Sequence, residues 1–425
     1  MEAIIKKIAA NKLYRETFWS IATKGIAFVF HFALNIYLAR KLGVEGFGNW
    51  SYFFSIFNIY FLFSLFAAQA SQKFIAQHNY TDKLPIIVTA SFILRMVLSI
   101  FFALFFAIIA VPLASVLDKP DFLILFLYAS PLIFLNSFTE YFKYIFIGLH
   151  RIKYHFFINI FDHFLKFCLV AALLFSFHNI TYIILAFFIS NILSFITGIT
   201  ILRQQSLFIW NKSLWDSYKE YIEKIVRYAL PLLFLYVFFM LTSELDMLML
   251  GYLTNEEELG IYAIVKQIVV KLPQISIALS MGTMQQFAQL NDENRQKLIQ
   301  IFHKLLKINT AIFGIISIGI FTLSWFFIPL IFGEAYTNSI YPLYILSIYT
   351  VCFSFNIFFN QFLDYQGLAN KRAFNAVIAF VLNITGNYLL IPKYGAIGAA
   401  IATSFSYLPY TLLNWWEVKG RLYKK

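Results

Sequence analysis

Residues 18–53 read FWSIATKGIAFVFHFALNIYLARKLGVEGFGNWSYF, and this stretch decides the fold class. It opens with an apolar run long enough to cross a bilayer, breaks at a short loop ending in Gly46-Phe47-Gly48, and enters a second apolar run. That pattern is a membrane hairpin. The first run carries Lys24, His31 and Asn35, spaced so that they share one helical face. A polar stripe of this kind is costly against lipid and faces protein or water instead.

The rest of the chain has the same character. Of its 425 residues, 60% are hydrophobic, 20% aromatic and only 13% charged, against about 25% charged in soluble domains. An all-α integral membrane protein is expected. The formal net charge of +12 comes from Lys and Arg scattered over many short loops, which fits positive-inside topology rather than a nucleic-acid-binding patch. Cys168 and Cys352 fall in separate apolar runs, without metal-ligand or disulfide spacing. The basic residues before Phe18 could open a secretory signal. The run that follows is too long for one, however, and no small-residue cleavage site closes it. An uncleaved first span is therefore expected, with residues 4–13 as a short amphipathic surface helix.

Cutting at charges, prolines and glycines gives about twelve spans of roughly 20 residues each: 18–39, 47–70, 84–110, 122–148, 155–177, 180–202, 225–252, 259–281, 304–331, 338–363, 373–391 and 394–416. Outer loops would then hold only Arg40, Lys41, Lys119 and Lys393, so both termini are expected on the cytoplasmic side. The polar stretch 203–224, with Trp210 and Trp215, suits a cytoplasmic interfacial linker. It would join an N-terminal six-helix lobe over 1–202, including an interfacial helix over 1–17, to a C-terminal six-helix lobe over 225–425. Phe47-Gly48 and Gly148-Leu149 recur roughly half a chain later as Leu259-Gly260 and Gly367-Leu368. Such recurrence suggests a parallel repeat of two bundles facing a central cavity.

Several motifs carry a family resemblance. Leu38-Ala39-Arg40-Lys41-Leu42-Gly43, followed by Phe47-Gly48-Asn49-Trp50-Ser51-Tyr52, resembles the "ARxLG…FGxYS" signature of Wzx-type polysaccharide flippases. These belong to the multidrug/oligosaccharidyl-lipid/polysaccharide superfamily and are similar in fold to the MATE transporters. Asp246-Met247-Leu248-Met249-Leu250-Gly251, then Gly260-Ile261-Tyr262, resembles the family's "DxxxLG…GxY" run. Asn383 and Asn387, with Ile391-Pro392-Lys393-Tyr394-Gly395-Ala396-Ile397-Gly398-Ala399-Ala400-Ile401-Ala402-Thr403, resemble its closing motif. The small residues of that last motif have a packing role of their own, since they let membrane helices approach closely.

No phosphate-binding loop, HExxH or Cys/His cluster is present, and the outer loops are too short for a catalytic domain. No enzyme, metal or cofactor is expected. The informative residues are charges within spans: Lys24, Arg95, Lys143, Lys166, Lys266 and Lys271 against Glu140, Asp162, Glu244 and Asp246. Each costs at least about 2.5 kcal/mol at mid-membrane unless paired or hydrated. Asp162 with Lys166 and Glu140 with Lys143 have the spacing of local pairs, while Lys24 and Lys143 lie near enough to the inner surface to snorkel. Arg95 and Lys271 would sit about 16–18 Å deep, either bridged to Glu244 or Asp246 or lining the cavity. Asn58, Gln69, Asn356, Asn360, Gln361, Asn383 and Asn387 are candidate sugar contacts or packing groups.

The resemblance implies a cationic cavity with basic residues on the first and eighth helices. Lys24, Lys266 and Lys271, with Arg40 in the motif and Arg95 by its depth, are candidates for substrate binding, and Asp246, Glu244, Asp162 and Lys166 for ion coupling or charge pairing. It further implies a flippase of undecaprenyl-diphosphate-linked oligosaccharide in the bacterial inner membrane, working beside membrane lipids and polysaccharide polymerase machinery. A cation-coupled multidrug exporter is the alternative. A membrane glycosyltransferase would need an acid pair and a metal at an aqueous loop, which the sequence lacks.

Overall fold

The computed structural model describes residues 2–177, 179–281, 283–289 and 293–423, and every long regular element among them is helical. In chain order these are α1 (Glu2–Leu65), α2 (Ala68–Gln77), α3 (Leu84–Val116), α4 (Phe122–Gly148), α5 (Ile152–Ser176) and α6 (Ile180–Gln204). There follow α7 (Trp215–Leu253), α8 (Glu256–Val269), α9 (Gln274–Met281), α10 (Arg295–Phe332), α11 (Ile340–Tyr365) and α12 (Ala369–Leu422). The chain is a multi-pass membrane protein. Its apolar residues line lipid-facing stripes such as Val97, Phe101, Leu104 and Ile108 on α3, all exposed.

Among the described residues ten helical segments are long and apolar enough to cross a membrane, not the twelve separate helices expected. The difference lies at two expected loops that are single glycines within continuous helical runs. α1 has 64 residues and α12 has 54; as straight rods they would measure roughly 96 and 81 Å, against a hydrocarbon core of about 30 Å. Both reverse direction instead.

In α12 the reversal is at Gly395, whose φ is +53°. Asn383 donates to Thr403 at 3.1 Å and Asn375 to Asn414 at 2.9 Å, while Lys371 pairs with Glu417 at 2.5 Å. A straight helix would separate the first pair by about 30 Å, so the two arms run antiparallel. A Cβ at Gly395 would fall 2.2 Å from Glu258 Oε2. Glycine is required there both by the left-handed backbone and by the space.

In α1 the break is at Gly43, with φ +70°. The first arm runs parallel to α5, with Trp19 against Phe156, Phe30 against Phe164, and Tyr37 bonded to the Ala171 carbonyl. The second arm runs antiparallel to α3, with Phe57 against Phe106, Phe63 against Phe102, and Ser64 beside Arg95. Because α3 and α5 are each antiparallel to α4, the two arms of α1 oppose one another.

Three further details depart from the sequence reading. α1 is helical from Glu2, so the N-terminal stretch runs unbroken into the first arm. Residues 203–224 comprise the end of α6, a short 3-10 turn at Lys212–Leu214 and the start of α7. The span expected over 259–281 is broken at 270–273 between α8 and α9, because Pro273 supplies no N–H and disfavours helix before it.

The chain forms two compact units, Met1–Leu42 with Phe53–Glu244, and Gly43–Tyr52 with Leu245–Lys425. The first is packed around Phe138, Tyr141, Phe142 and Phe146, the second around Phe287, Phe302, Phe358 and Phe362. The tip 43–52 joins the second unit through close backbone approach, Gly48 lying against Glu256 and Gly260.

Candidate functional site

The second unit concentrates polar side chains around one carboxylate. Asp246, on α7, is 9% exposed. Its Oδ2 accepts from the Tyr262 hydroxyl at 2.6 Å and from Thr403 Oγ1 at 2.7 Å; its Oδ1 accepts from Asn387 Nδ2 at 2.8 Å and, more weakly, from Asn383 Nδ2 at 3.3 Å. Tyr262 comes from α8, the two asparagines are one turn apart on the first arm of α12, and Thr403 lies on the second arm. The reversal at Gly395 therefore assembles this shell.

All four donors are neutral, and no Lys or Arg among the described residues pairs with Asp246. They offset desolvation of the carboxylate without cancelling its charge. Asn387 Oδ1, buried in the same cluster, has no hydrogen-bond partner among the described residues. A charged carboxylate beside an unused amide oxygen and two hydroxyls is a hard oxygen set, suited to a small cation. Among the described residues no group of three His, Cys, Asp or Glu side chains stands ready for a transition metal.

The first unit holds a charged network. The two local pairs expected from spacing are present and joined across helices. Lys143 Nζ lies 2.7 Å from Glu140 Oε1 on its own helix and 3.2 Å from Asp162 Oδ2 on α5, and Lys166 Nζ lies 2.9 Å from Asp162 Oδ1. Lys143 is 5% exposed, so it is held inside rather than snorkelling. Two acids and two bases balance, and Ser190 Oγ donates to the Asp162 backbone carbonyl.

Arg95 is among the largest fully buried side chains, and its Nη1 donates to the Ser64 carbonyl. Ser64 is in the last turn of α1, where carbonyls lack helical partners, so the guanidinium caps the break between α1 and α2. It also lies 5.7 Å from the centre of the Tyr141 ring. Lys271 is exposed in the α8–α9 break instead of mid-helix, and Lys24 is exposed on the first arm of α1. Neither makes an ion pair among the described residues. Lys266 is half-buried on α8 and Arg40 exposed before Gly43. Glu244 accepts from Ser55 Oγ at 2.7 Å.

Most of the candidate sugar-binding amides serve other partners. Asn356 donates to Thr411 at 2.7 Å, Asn360 accepts from Tyr410 at 3.0 Å and Asn414 at 3.1 Å, and Gln361 donates to Ser280 at 2.8 Å. Sequence reasoning did not single out Tyr262 or Thr403, which sit in motifs that carry the family resemblance without a stated role for either side chain. Only the hairpin at Gly395 shows them converging.

Comparison with known proteins agrees with this architecture. Residues 13–284, more than half of the chain, match the family described as "Polysaccharide biosynthesis protein", and residues 231–389 match the family described as MatE. A probable low-salt glycan biosynthesis flippase of Haloferax volcanii is 27% identical over 181 residues, covering 40% of this chain and 37% of the relative's length. Among solved structures, an inward-facing multidrug resistance MATE transporter of the MOP superfamily covers 95% of this chain and 98% of its own, at TM-score 0.72 and 14% identity. A lipid II flippase in its inward-closed conformation covers 95% and 87%, at TM-score 0.69 and 17% identity. At these identities the likeness establishes the fold. On the strength of the profile match over 13–284, the chain belongs to the polysaccharide biosynthesis protein family, within the MATE-like superfamily of flippases and multidrug transporters.

Proposed function

We propose that this protein is a flippase that carries undecaprenyl-diphosphate-linked oligosaccharide repeat units from the cytoplasmic to the outer leaflet of a bacterial inner membrane, for assembly of O-antigen, capsule or exopolysaccharide. It works by alternating access with both termini cytoplasmic, and a cation gradient acts through Asp246. Family membership and the flippase relative support the cargo class. The observation that carries the choice is the exposure of Lys24 on the first arm of α1 and of Lys271 in the α8–α9 break, neither with an ion pair among the described residues. Such cations need an anionic or aqueous partner, and a diphosphate supplies the charge.

Native mass spectrometry of the purified protein with a polyprenyl-diphosphate oligosaccharide and with a cationic drug tests this reading. Retention of the diphosphate lipid, reduced at least tenfold by Lys24→Ala or Lys271→Ala, is expected. Retention of the drug alone, indifferent to both changes, overturns it. The MatE match over 231–389 includes Asp246 and keeps the cation-coupled exporter as the second reading.

A further inference from the structure

Glu244 and Asp246 stand two residues apart on α7, and the boundary between the two compact units falls between them, at Glu244–Leu245. Helical geometry points side chains two residues apart in nearly opposite directions, with an axial offset of about 3 Å. Each carboxylate is 9% exposed, and each accepts hydrogen bonds from side chains of its own unit. Asp246 accepts from Tyr262, Asn383, Asn387 and Thr403, and Glu244 accepts from Ser55 on the second arm of α1.

Ser55 differs from many of its neighbours in where its proton goes. Ser64, Ser71, Ser91 and Ser137 each donate to a carbonyl three or four residues back in their own helix, the usual resting place of a membrane serine. Ser55 gives its proton to Glu244. When that bond breaks, the Ser51 carbonyl, four residues back in the same helix, offers the hydroxyl an alternative though weaker acceptor.

We infer that Ser55 and Glu244 form the positioning pair through which occupancy at Asp246 is passed along α7 to the first unit. This rests on the reading of Asp246 as the ion-coupling group. A cation entering the Asp246 shell turns the amide and hydroxyl oxygens inward, and α7 shifts or rotates with the carboxylate it carries. The bond from Ser55 to Glu244 is 2.7 Å long and is lost beyond about 3.5 Å. A displacement of about 1 Å switches it, within the range of helix shifts that accompany such transitions.

The test uses the full chain in proteoliposomes loaded with a fluorescent polyprenyl-diphosphate oligosaccharide. Transport is measured against sodium chloride, against potassium chloride, and from pH 6 to pH 8. Ser55→Ala and Glu244→Gln each lower the maximal rate at least tenfold, while the half-saturating cation concentration stays within twofold of wild type. The double variant is no slower than the slower single, and Ser55→Thr, which keeps the hydroxyl, recovers the rate to within twofold. Two results overturn the inference alone: a Ser55→Ala rate within twofold of wild type while Asp246→Asn has lost its cation dependence, or losses that multiply in the double variant. Unchanged cation dependence in Asp246→Asn overturns the ion-coupling reading and the pair with it. Should Glu244→Gln not fold, judged by thiol protection of buried Cys352, the Ser55 series decides the matter.

Discussion

Replacing Asp246 by alanine and by asparagine separates what its charge does from what its hydrogen bonds do. Four donors converge on the carboxylate at 2.6, 2.7, 2.8 and 3.3 Å, but they are not equally dependent on it. Asn387 Nδ2 also donates to Asn383 Oδ1 at 3.2 Å, and Asn383 Nδ2 to Thr403 Oγ1 at 3.1 Å. Alanine therefore strands chiefly the hydroxyl protons of Tyr262 and Thr403. Each buried unsatisfied donor costs about 1–3 kcal/mol, so Asp246→Ala loses about 4 kcal/mol. Asparagine keeps one carbonyl acceptor and presents an amide to hydroxyls that can turn and accept, while shedding a buried charge. Its cost is about 1 kcal/mol or less. If the second unit melts as one cooperative block, the difference of about 3 kcal/mol between the two variants is roughly 6–12 °C. Reaction of buried Cys352 with a thiol-reactive dye during heating reads this directly. Equal melting of the two variants refutes the argument that the donors depend on the carboxylate as an acceptor.

Lys143→Met leaves Asp162 with Lys166 alone and removes the cation that Glu140 pairs with, and losing one member of a buried pair costs about 3–5 kcal/mol; Lys166→Met costs less, because Asp162 keeps Lys143, and thermal labelling of half-buried Cys168 ranks them. Gly395→Ala pays about 1–2 kcal/mol for the left-handed backbone and must also displace the Glu258 carboxylate that accepts from Ala396 N at 2.6 Å, so its melting falls below that of Gly314→Ala, a site with nothing within 4 Å of an added Cβ. Lys271→Ala, at an exposed position, leaves melting within about 1 °C of wild type while weakening retention of the diphosphate lipid; a large melting loss would give Lys271 a structural role instead.

The fold class was legible because it rests on composition and span length, which no tertiary contact can override. The number of helices was not, since hydropathy marks where apolar runs stop but not how they are joined. At Gly43 and Gly395 the joint is one residue with positive φ, and the neighbouring charges Arg40, Lys41 and Lys393 looked like loops. In the same way, i,i+3 and i,i+4 spacing identified Glu140–Lys143 and Asp162–Lys166, yet carried no information about the link from Lys143 to Asp162, because that contact depends on how α4 and α5 face each other. Arg95 shows the limit most plainly. Depth alone made it a candidate for ligand, whereas its first partner is a backbone carbonyl exposed by a helix break that sequence does not locate.

Asp246 combines both kinds of information. Its presence in an apolar span was visible, and its cost could be estimated, but a paired acid and an acid waiting for a cation have the same sequence. The proposed ion-coupling role rests on the identity of the neighbours. The four donors are neutral, three of them come from the two arms of α12 that only the Gly395 reversal brings together, and Asn387 Oδ1 is left over. A carboxylate kept for stability alone would have gained more from a lysine, and the first unit shows that this chain builds such pairs when it needs them, at Lys143 and Lys166. That the second unit holds its acid with hydroxyls and amides argues that its charge is retained to be answered by something that comes and goes.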